Sequence, residues 1–497
     1  MRILLIDPPF KIFTGFVNFY FPIGLTYLAA VLRDAGYETT IFDVDAIQKG
    51  TSLDFTEEYK SLELYREGLN NDKHRVWQDI KHVLEDYKPD LVGITAMTTK
   101  FGSVLKTAEV VKKHNPRCKV VVGGSHPTFL PEQTLKSKDI DMIVRGEGER
   151  TFLELIKSIE NNSDLKAVQG ISFKRDGSII HNQSREFIEN LDQIPFPARG
   201  LLMNQKSYTS EDVGVIMTSR GCPFHCSYCC HMWQKKVRNR SIDNVIKEIK
   251  EVKQQYGTRQ FEFKDDTFTL NRKRIIQLCE ELISEKLKVN WGCTTRANLI
   301  DEELIKKMKK AGCNIIKLGI ETGSEKILKD TKKGVTFEQM REAAKLLNKH
   351  NLFWSGYFMV GIPTETEEDI RKTCEFMEEL NPHYAGLGVY NPFPKTELFE
   401  QGVRMGLLQP EVNLDHFFNT NAKDYFFVDP SKRVAGIDKR EFDRLVTFLM
   451  TEFHKHNTKL SNIIRRGWAR RLTYYKEPKL MLSDIKKALR WWWGKEK

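Results

Sequence analysis

No stretch of this 497-residue chain approaches the roughly 20 consecutive apolar residues of a membrane-spanning helix, so no transmembrane segment is expected. The opening MRILLIDPPF lacks a basic n-region, a long apolar core and a small-residue cleavage site. That predicts no signal peptide and a cytoplasmic location. Gly (31) and Pro (17) stand at ordinary levels, which excludes a collagen-like or low-complexity chain. With 40% hydrophobic residues the sequence is too apolar to be wholly disordered, and its length implies about three domains. Nine cysteines in a reducing compartment are not expected to form a disulfide framework, and only Cys118 falls in the first 200 residues.

What is present is an excess of positive charge, +11 overall, and it is unevenly spread. Residues 459–497 hold 12 Lys/Arg and 3 Asp/Glu, leaving 66 basic against 64 acidic side chains in the rest. The body is nearly neutral and the basicity belongs to a tail. Within it, Ser483–Trp493 (SDIKKALRWWW) reads as a helix with Ile485, Ala488, Leu489 and Trp492 on one face and Lys486, Lys487 and Arg490 off it. Such a helix suits an anionic membrane surface, or packs its apolar face on the protein with its charges solvated. Nucleic acid is the least favoured partner, because no aromatic–basic binding fold accompanies the tail.

The chain up to about residue 186 alternates short apolar runs with amphipathic stretches. Arg2–Ile6, Glu38–Phe42, Asp90–Thr95, Lys119–Val122 and Asp141–Val144 read as strands; Ile23–Gly36, about Asp72–Tyr87 and Ser103–His114 read as helices. This pattern predicts an α/β fold with a doubly wound parallel sheet, whose ligands lie beyond the strand carboxyl ends. Residues 187–207, with LDQIPFPA, read as a linker. From 208 to 405 a second series follows, with strands at Val213–Thr218, Gln260–Phe263, Val289–Thr294, Ile315–Gly319, Leu352–Val360 and Ala385–Tyr390. Helices between them predict a partial (β/α)6 barrel with its chemistry at the strand C-termini. Residues 406–497 form a mainly helical C-terminal region; Asn413–Arg433 is weakly periodic and Asp438–Lys455 is a predicted helix.

Four cysteines fall within nine residues directly after the first strand of the second series. Cys222, Cys226 and Cys229 stand at C-x3-C-x2-C spacing, with Cys230 next. Three thiolates on one loop suit a soft metal, zinc or an iron–sulfur cluster. A closed zinc site wants four protein ligands, with Cys230 or His225 as the fourth; a cubane held by three cysteines keeps one iron open. Gly221 allows the sharp entry to the loop.

This motif and its strand context resemble the radical S-adenosylmethionine enzymes over about residues 208–400. The resemblance implies a [4Fe–4S] cluster on Cys222, Cys226 and Cys229 whose open iron binds S-adenosylmethionine. Reductive cleavage there yields a 5′-deoxyadenosyl radical, with electrons from an external flavodoxin- or ferredoxin-type donor. Later strand ends match further stations of the family. Asp265 and Asp266 fall where the ammonium of S-adenosylmethionine is held, although Asp266 equally suits a helix cap. Arg296 suits the methionine carboxylate, or else a surface salt bridge. Glu321 suits the ribose or substrate, and Gly361 and Pro363 the adenine.

Upstream, Asp7-Pro8-Pro9, Asp43, Gly123-Gly124-Ser125-His126 and Arg145-Gly146-Glu147-Gly148-Glu149 resemble the cobalamin-binding, Rossmann-like domain that precedes a TIM-like radical barrel in one subclass. A glycine pair at a strand end lets backbone approach a flat ligand. The chain lacks Asp-x-His-x-x-Gly, which elsewhere supplies a histidine to cobalt. His126 stands near the expected ligand, or is a solvated or capping residue, and the domain alternatively is a substrate-binding module. The subclass implies cobalamin-dependent C-methylation of a small-molecule or lipid substrate, or radical cyclisation or rearrangement without methyl transfer. Methylthiotransfer is disfavoured by the lack of an N-terminal cysteine set, and a non-catalytic iron–sulfur or zinc protein would not need the later stations.

Overall fold

The computed structural model describes residues 1–14, 21–47, 55–420, 426–428, 432–476, 481–482 and 485. The chain divides into two compact units that are each discontinuous in sequence. The first comprises 1–213, 230–239 and 392–430, and the second 214–229, 240–391 and 431–497.

The first unit is built on β1 (Arg2–Asp7), β2 (Glu38–Asp43), β3 (Leu91–Thr95), β4 (Lys119–Gly123), β5 (Met142–Val144), β6 (Ile171–Arg175) and β7 (Ser178–His181). Their order in the sheet is β2-β1-β3-β4-β5-β6-β7. The first five run parallel and the last two antiparallel. Near-continuous apolar runs such as Arg2–Asp7 are buried on both faces, as a helix-covered parallel sheet requires. The order reverses between β1 and β3, the place where a doubly wound sheet opens its crevice. The β6–β7 hairpin turns at Asp176 and Gly177, both at positive φ (52° and 75°). That Asp-Gly pair is the hairpin signal in the sequence.

Two other segments belong to this unit. Residues 187–207, expected as a linker, are tied into this unit, and Leu201–Asn204 run along the β2 edge. Leu202 bridges Ile41 in parallel, and the Met203 amide donates to the Ile41 carbonyl at 2.9 Å. Phe417, Phe426 and Phe427 from the weakly periodic stretch enter the same core as Tyr65, Trp77 and Phe101. Phe417 packs on Phe426 at 4.8 Å across a gap of nine residues in the chain, a spacing that leaves no periodic signal.

The second unit holds six parallel strands: β8 (Val215–Ile216), β9 (Gln260–Phe263), β10 (Asn290–Thr295), β11 (Cys313–Glu321), β12 (Phe353–Val360) and β13 (Tyr384–Val389). They lie side by side in chain order, as a partial barrel does. Helices Ile242–Tyr256, Arg272–Ser284, Glu302–Lys310, Phe337–Lys349 and Glu367–Leu380 separate them. Side-chain caps set their starts: Ser241, Asn271 and Asp301 each accept from a backbone amide of the first turn, and Thr336 and Thr366 form capping boxes. Alternation along the strands buries Phe261, Phe263, Trp291, Ile316, Leu318, Trp354 and Phe358. Each such side chain contributes about 1.5–3 kcal/mol.

Helix Lys439–Thr458 packs here through Phe453 on Phe358, followed by Leu460–Ala469 and Arg471–Lys476. The predicted helix Ser483–Trp493 lies outside the described residues, apart from Ile485. Among the described residues, no helix is long and apolar enough to cross a membrane.

Candidate active site

The cysteine loop leaves β8 and is pinned by the strand ends that follow. The Asp265 carboxylate accepts from the Thr218 amide (2.7 Å), the Thr218 hydroxyl (2.5 Å) and the Ser219 hydroxyl (2.7 Å). It is only 4% exposed, and burial pushes its carboxyl up against these hydrogen bonds. Asp265 is therefore a clamp on the loop base, its carboxylate already engaged by Thr218 and Ser219. Asp266 accepts from the Gly221 amide at 2.9 Å, where the chain takes φ 103°. The helix-cap alternative for Asp266 is corrected, because Asn271 caps that helix.

Further along the loop, the Ser227 amide and hydroxyl donate to the carbonyls of Thr331 (2.9 Å) and Asp330 (2.8 Å). Cys226 and Cys229 share a hydrogen bond. That bond, with the positive charges of Lys333 and Arg296, holds the buried Cys226 thiol down to about 5, while it pushes Cys229 up. The Cys222 thiol rests 3.4 Å from the Thr267 hydroxyl. Among the described residues no three His, Cys, Asp or Glu side chains are gathered closely enough to hold a metal ion. His225 is exposed, and burial pushes the Cys230 thiol up to about 12. Three cysteines on one pinned loop, with one thiolate favoured by two cations, are a donor set that fits a soft iron–sulfur group.

Arg296 ends β10. Its guanidinium lies 3.7 Å over the Phe224 ring, donates to Cys226 Sγ at 3.5 Å and to the Lys333 carbonyl, and is 6% exposed. The surface salt-bridge alternative is thereby corrected. Its buried Nε has no partner in the protein, an orphaned donor that a carboxylate ligand would satisfy. Glu321 ends β11 at φ 72°, where the pairing with β12 shifts register, and accepts from Lys333 Nζ at 2.8 Å. Lys333 was not legible in the sequence: it lies in the polar run Thr331-Lys-Lys-Gly, which carries no ligand-binding pattern.

Gly361 follows β12 at φ 94°. Its amide (2.5 Å) and that of Ile362 (3.2 Å) donate to Glu365, whose carboxyl burial pushes up to about 8. The Pro363 carbonyl accepts from Ala435 at 3.0 Å, which fixes this turn from the C-terminal side.

In the first unit the strand-end residues face inward. Lys100 pairs with Asp7 at the end of β1, both nearly buried. Asp43, at the end of β2, accepts from the Tyr208 hydroxyl; burial and the nearby Asp7 push its carboxyl up to about 8. His126 is 1% exposed, stacked 3.7 Å on Phe101, with Nδ1 3.1 Å from the Thr98 hydroxyl. Burial drives it down to about 3. The alternative of a solvated residue is corrected: His126 is buried and neutral, and among the described residues its Nε2 has no hydrogen-bond partner. Gly124 sits at φ 113° with a Cβ position only 2.6 Å from the Ala96 carbonyl oxygen, so the backbone itself requires glycine there. Gly123, Gly124 and Ser125 stay half-buried at the β4 end. Glu147 is consumed by the Arg238 guanidinium (2.9 Å) and the Ile188 amide (2.7 Å).

Comparison with known proteins agrees with both halves. The Radical SAM superfamily model matches residues 216–377 and the B12 binding domain model residues 12–156. An uncharacterized methyltransferase of Pyrococcus horikoshii is 33% identical over 98% of this chain and 95% of its own. An anaerobic magnesium-protoporphyrin IX monomethyl ester cyclase of Rubrivivax gelatinosus is 31% identical over 86% of this chain and 72% of its own. The cobalamin-dependent S-adenosylmethionine radical enzyme OxsB, solved with aqua-cobalamin and S-adenosylmethionine, superposes with a TM-score of 0.67. It covers 97% of this chain and 74% of that one at 17% identity, a likeness of fold. The chain belongs to the cobalamin-binding radical S-adenosylmethionine enzymes, whose cofactors are a [4Fe–4S] cluster, S-adenosylmethionine and cobalamin.

Proposed function

We propose that this protein is a cobalamin-dependent methyltransferase that opens a substrate C–H bond and places a methyl group on that carbon. The observation that carries the reading is the end-to-end match to the Pyrococcus horikoshii methyltransferase, 98% of this chain against 95% of that one. When bound, the cluster supplies the electron that splits the sulfonium, and cobalamin carries the methyl group. In this reading Cys222, Cys226 and Cys229 hold the cluster, and Asp265 and Asp266 fix their loop. Arg296 takes the methionine carboxylate on its unpartnered Nε, Glu321 is oriented by Lys333 toward the ribose or substrate, and the turn at Gly361 and Pro363 packs on the adenine. Gly123, Gly124 and Ser125 present backbone to the corrinoid.

Enzymes of this superfamily act on small molecules and draw electrons from an external donor. A flavodoxin- or ferredoxin-type donor suits this one. The second reading, radical cyclisation without methyl transfer, is supported by the 31% identity to the Rubrivivax cyclase. Anaerobic protein loaded with cluster and hydroxocobalamin, given a low-potential reductant and methyl-labelled S-adenosylmethionine, separates the two. Labelled corrinoid and S-adenosylhomocysteine are expected; 5′-deoxyadenosine without corrinoid methylation would favour cyclisation.

A cytoplasmic, peripheral membrane association is part of the proposal, and with it a lipid substrate. Leu460, Ile464 and Trp468 recur at helical spacing and are 66%, 62% and 59% exposed. Residues 459–476 carry six Lys/Arg and no acidic residue, which favours an anionic surface. Flotation with anionic liposomes should fail for an L460S/I464S/W468S protein; equal flotation of both would remove this part.

A further inference from the structure

The face of the second sheet turned away from its helices carries charge that the cysteine loop does not use. Strand register puts Thr294, Lys317 and Ser355 on one rung. Lys264 follows Phe263, which pairs with Cys293, and so comes level with Thr294. The neighbouring Phe263, Cys293, Ile316 and Trp354 are 0–1% exposed on the helix side, so these four project to the other face. One level below, Glu262 pairs with Gly292 in register. Because Gly292 has no side chain, Glu262 reaches across β10 to Lys317 at 2.6 Å; a Cβ there would come 2.9 Å from the carboxylate. Above, Tyr357 stands between Gly319 and Gly386 on neighbouring strands and is 40% exposed.

The charges on this face do not balance. Lys264 Nζ lies 3.7 Å from the same Glu262 oxygen that Lys317 holds at 2.6 Å, and its side chain is 43% exposed. Two ammonium groups share one carboxylate, leaving a net positive charge on a reachable face. The rung also sits directly beneath the cysteine-loop stations, since Lys264 precedes Asp265–Asp266 and Thr294 precedes Thr295–Arg296. A purely structural pair would need only Glu262 and Lys317. A surplus cation beside hydroxyl groups, only partly offset by one carboxylate, attracts an anion and can hold it by charge-assisted hydrogen bonds.

We propose that this rung recognises an anionic group of the substrate, a carboxylate or phosphate, with Lys264 as the binding cation. Lys317, fixed by Glu262, is the positioning residue. The inference rests on the reading of this chain as a radical enzyme whose substrate lies against the barrel strands.

The test labels the loaded holoenzyme with pyridoxal 5′-phosphate or uncharged pyridoxal, traps the lysine adducts with cyanoborohydride and maps them by mass spectrometry. Lys264 is expected to react about tenfold faster with the phosphorylated aldehyde. Glu262→Gln should widen that preference and Lys317→Gln narrow it. Protection by pyrophosphate but not citrate assigns a phosphate group, and the reverse assigns a carboxylate. Equal labelling of Lys264 by both aldehydes, or no effect of either variant, overturns the proposal. Labelling needs no turnover, so preferential labelling without methyl transfer would sink only the methyltransferase reading, and methyl transfer with equal labelling only the anion site.

Discussion

Both units are parallel α/β sheets, yet comparable residues at their strand ends do different work, and strand order is the reason. In the first unit the order reverses once, between β1 and β3, which is where such a sheet opens its crevice. Motifs there turn out to be packing: Glu147 serves Arg238, Gly124 accommodates Ala96, and His126 fills the space beside Phe101. In the second unit the strands follow one another in chain order, so successive strand ends come round to the same loop. Asp266 and Arg296 touch that loop directly, and Lys333 follows the Asp330–Thr331 turn that holds Ser227. Strand-end side chains therefore gather on one loop where topology makes them converge, and elsewhere several of them serve the packing of the fold.

The comparison is broken or sharpened by variants on each side. The largest effect is expected for Cys226→Ala, which should take S-adenosylmethionine cleavage to background and abolish the cluster absorbance while circular dichroism stays unchanged. Retained cleavage would remove the second unit's site altogether. Arg238→Met leaves the buried Glu147 carboxylate without its cation. It should destabilise the first unit by about 3–5 kcal/mol, read as an earlier urea transition, with cleavage by the folded protein retained. Asp265→Asn removes a charged acceptor from Thr218 and Ser219 and should cost about 1–3 kcal/mol with little change in S-adenosylmethionine affinity. Weakened affinity at unchanged stability would instead make Asp265 a ligand contact. His126→Phe keeps the stack on Phe101 and loses one hydrogen bond, about 1 kcal/mol or less. The visible spectrum of bound cobalamin should be unaltered; a shift in its bands would mean the imidazole reaches cobalt.

The sequence made the second unit legible because period-2 alternation and capped helices locate each strand end, and the cysteine spacing falls just after the first. Gln260–Phe263 matches β9 residue for residue, and Cys222 to Cys229 lie on the loop after β8. What escaped was the side-chain economy between motifs. Asp265 and Asp266 are adjacent in the chain, yet one clamps hydroxyl groups and the other holds an amide, a distinction set by which way each side chain projects. Lys333 acts through a partner twelve residues away, beyond any local pattern. In the first unit, the aromatic residues between 413 and 433 carry no period because they pack on one another and on a core assembled by distant segments.

That return of Phe417, Phe426 and Phe427 has a consequence for biosynthesis. A ribosome that has released only the first 213 residues has delivered the sheet without part of its filling. The first unit therefore cannot finish folding until translation has passed 430, by which time the strands of the second unit have already emerged. A chain cut after residue 213 is therefore expected to lack part of the first unit's core.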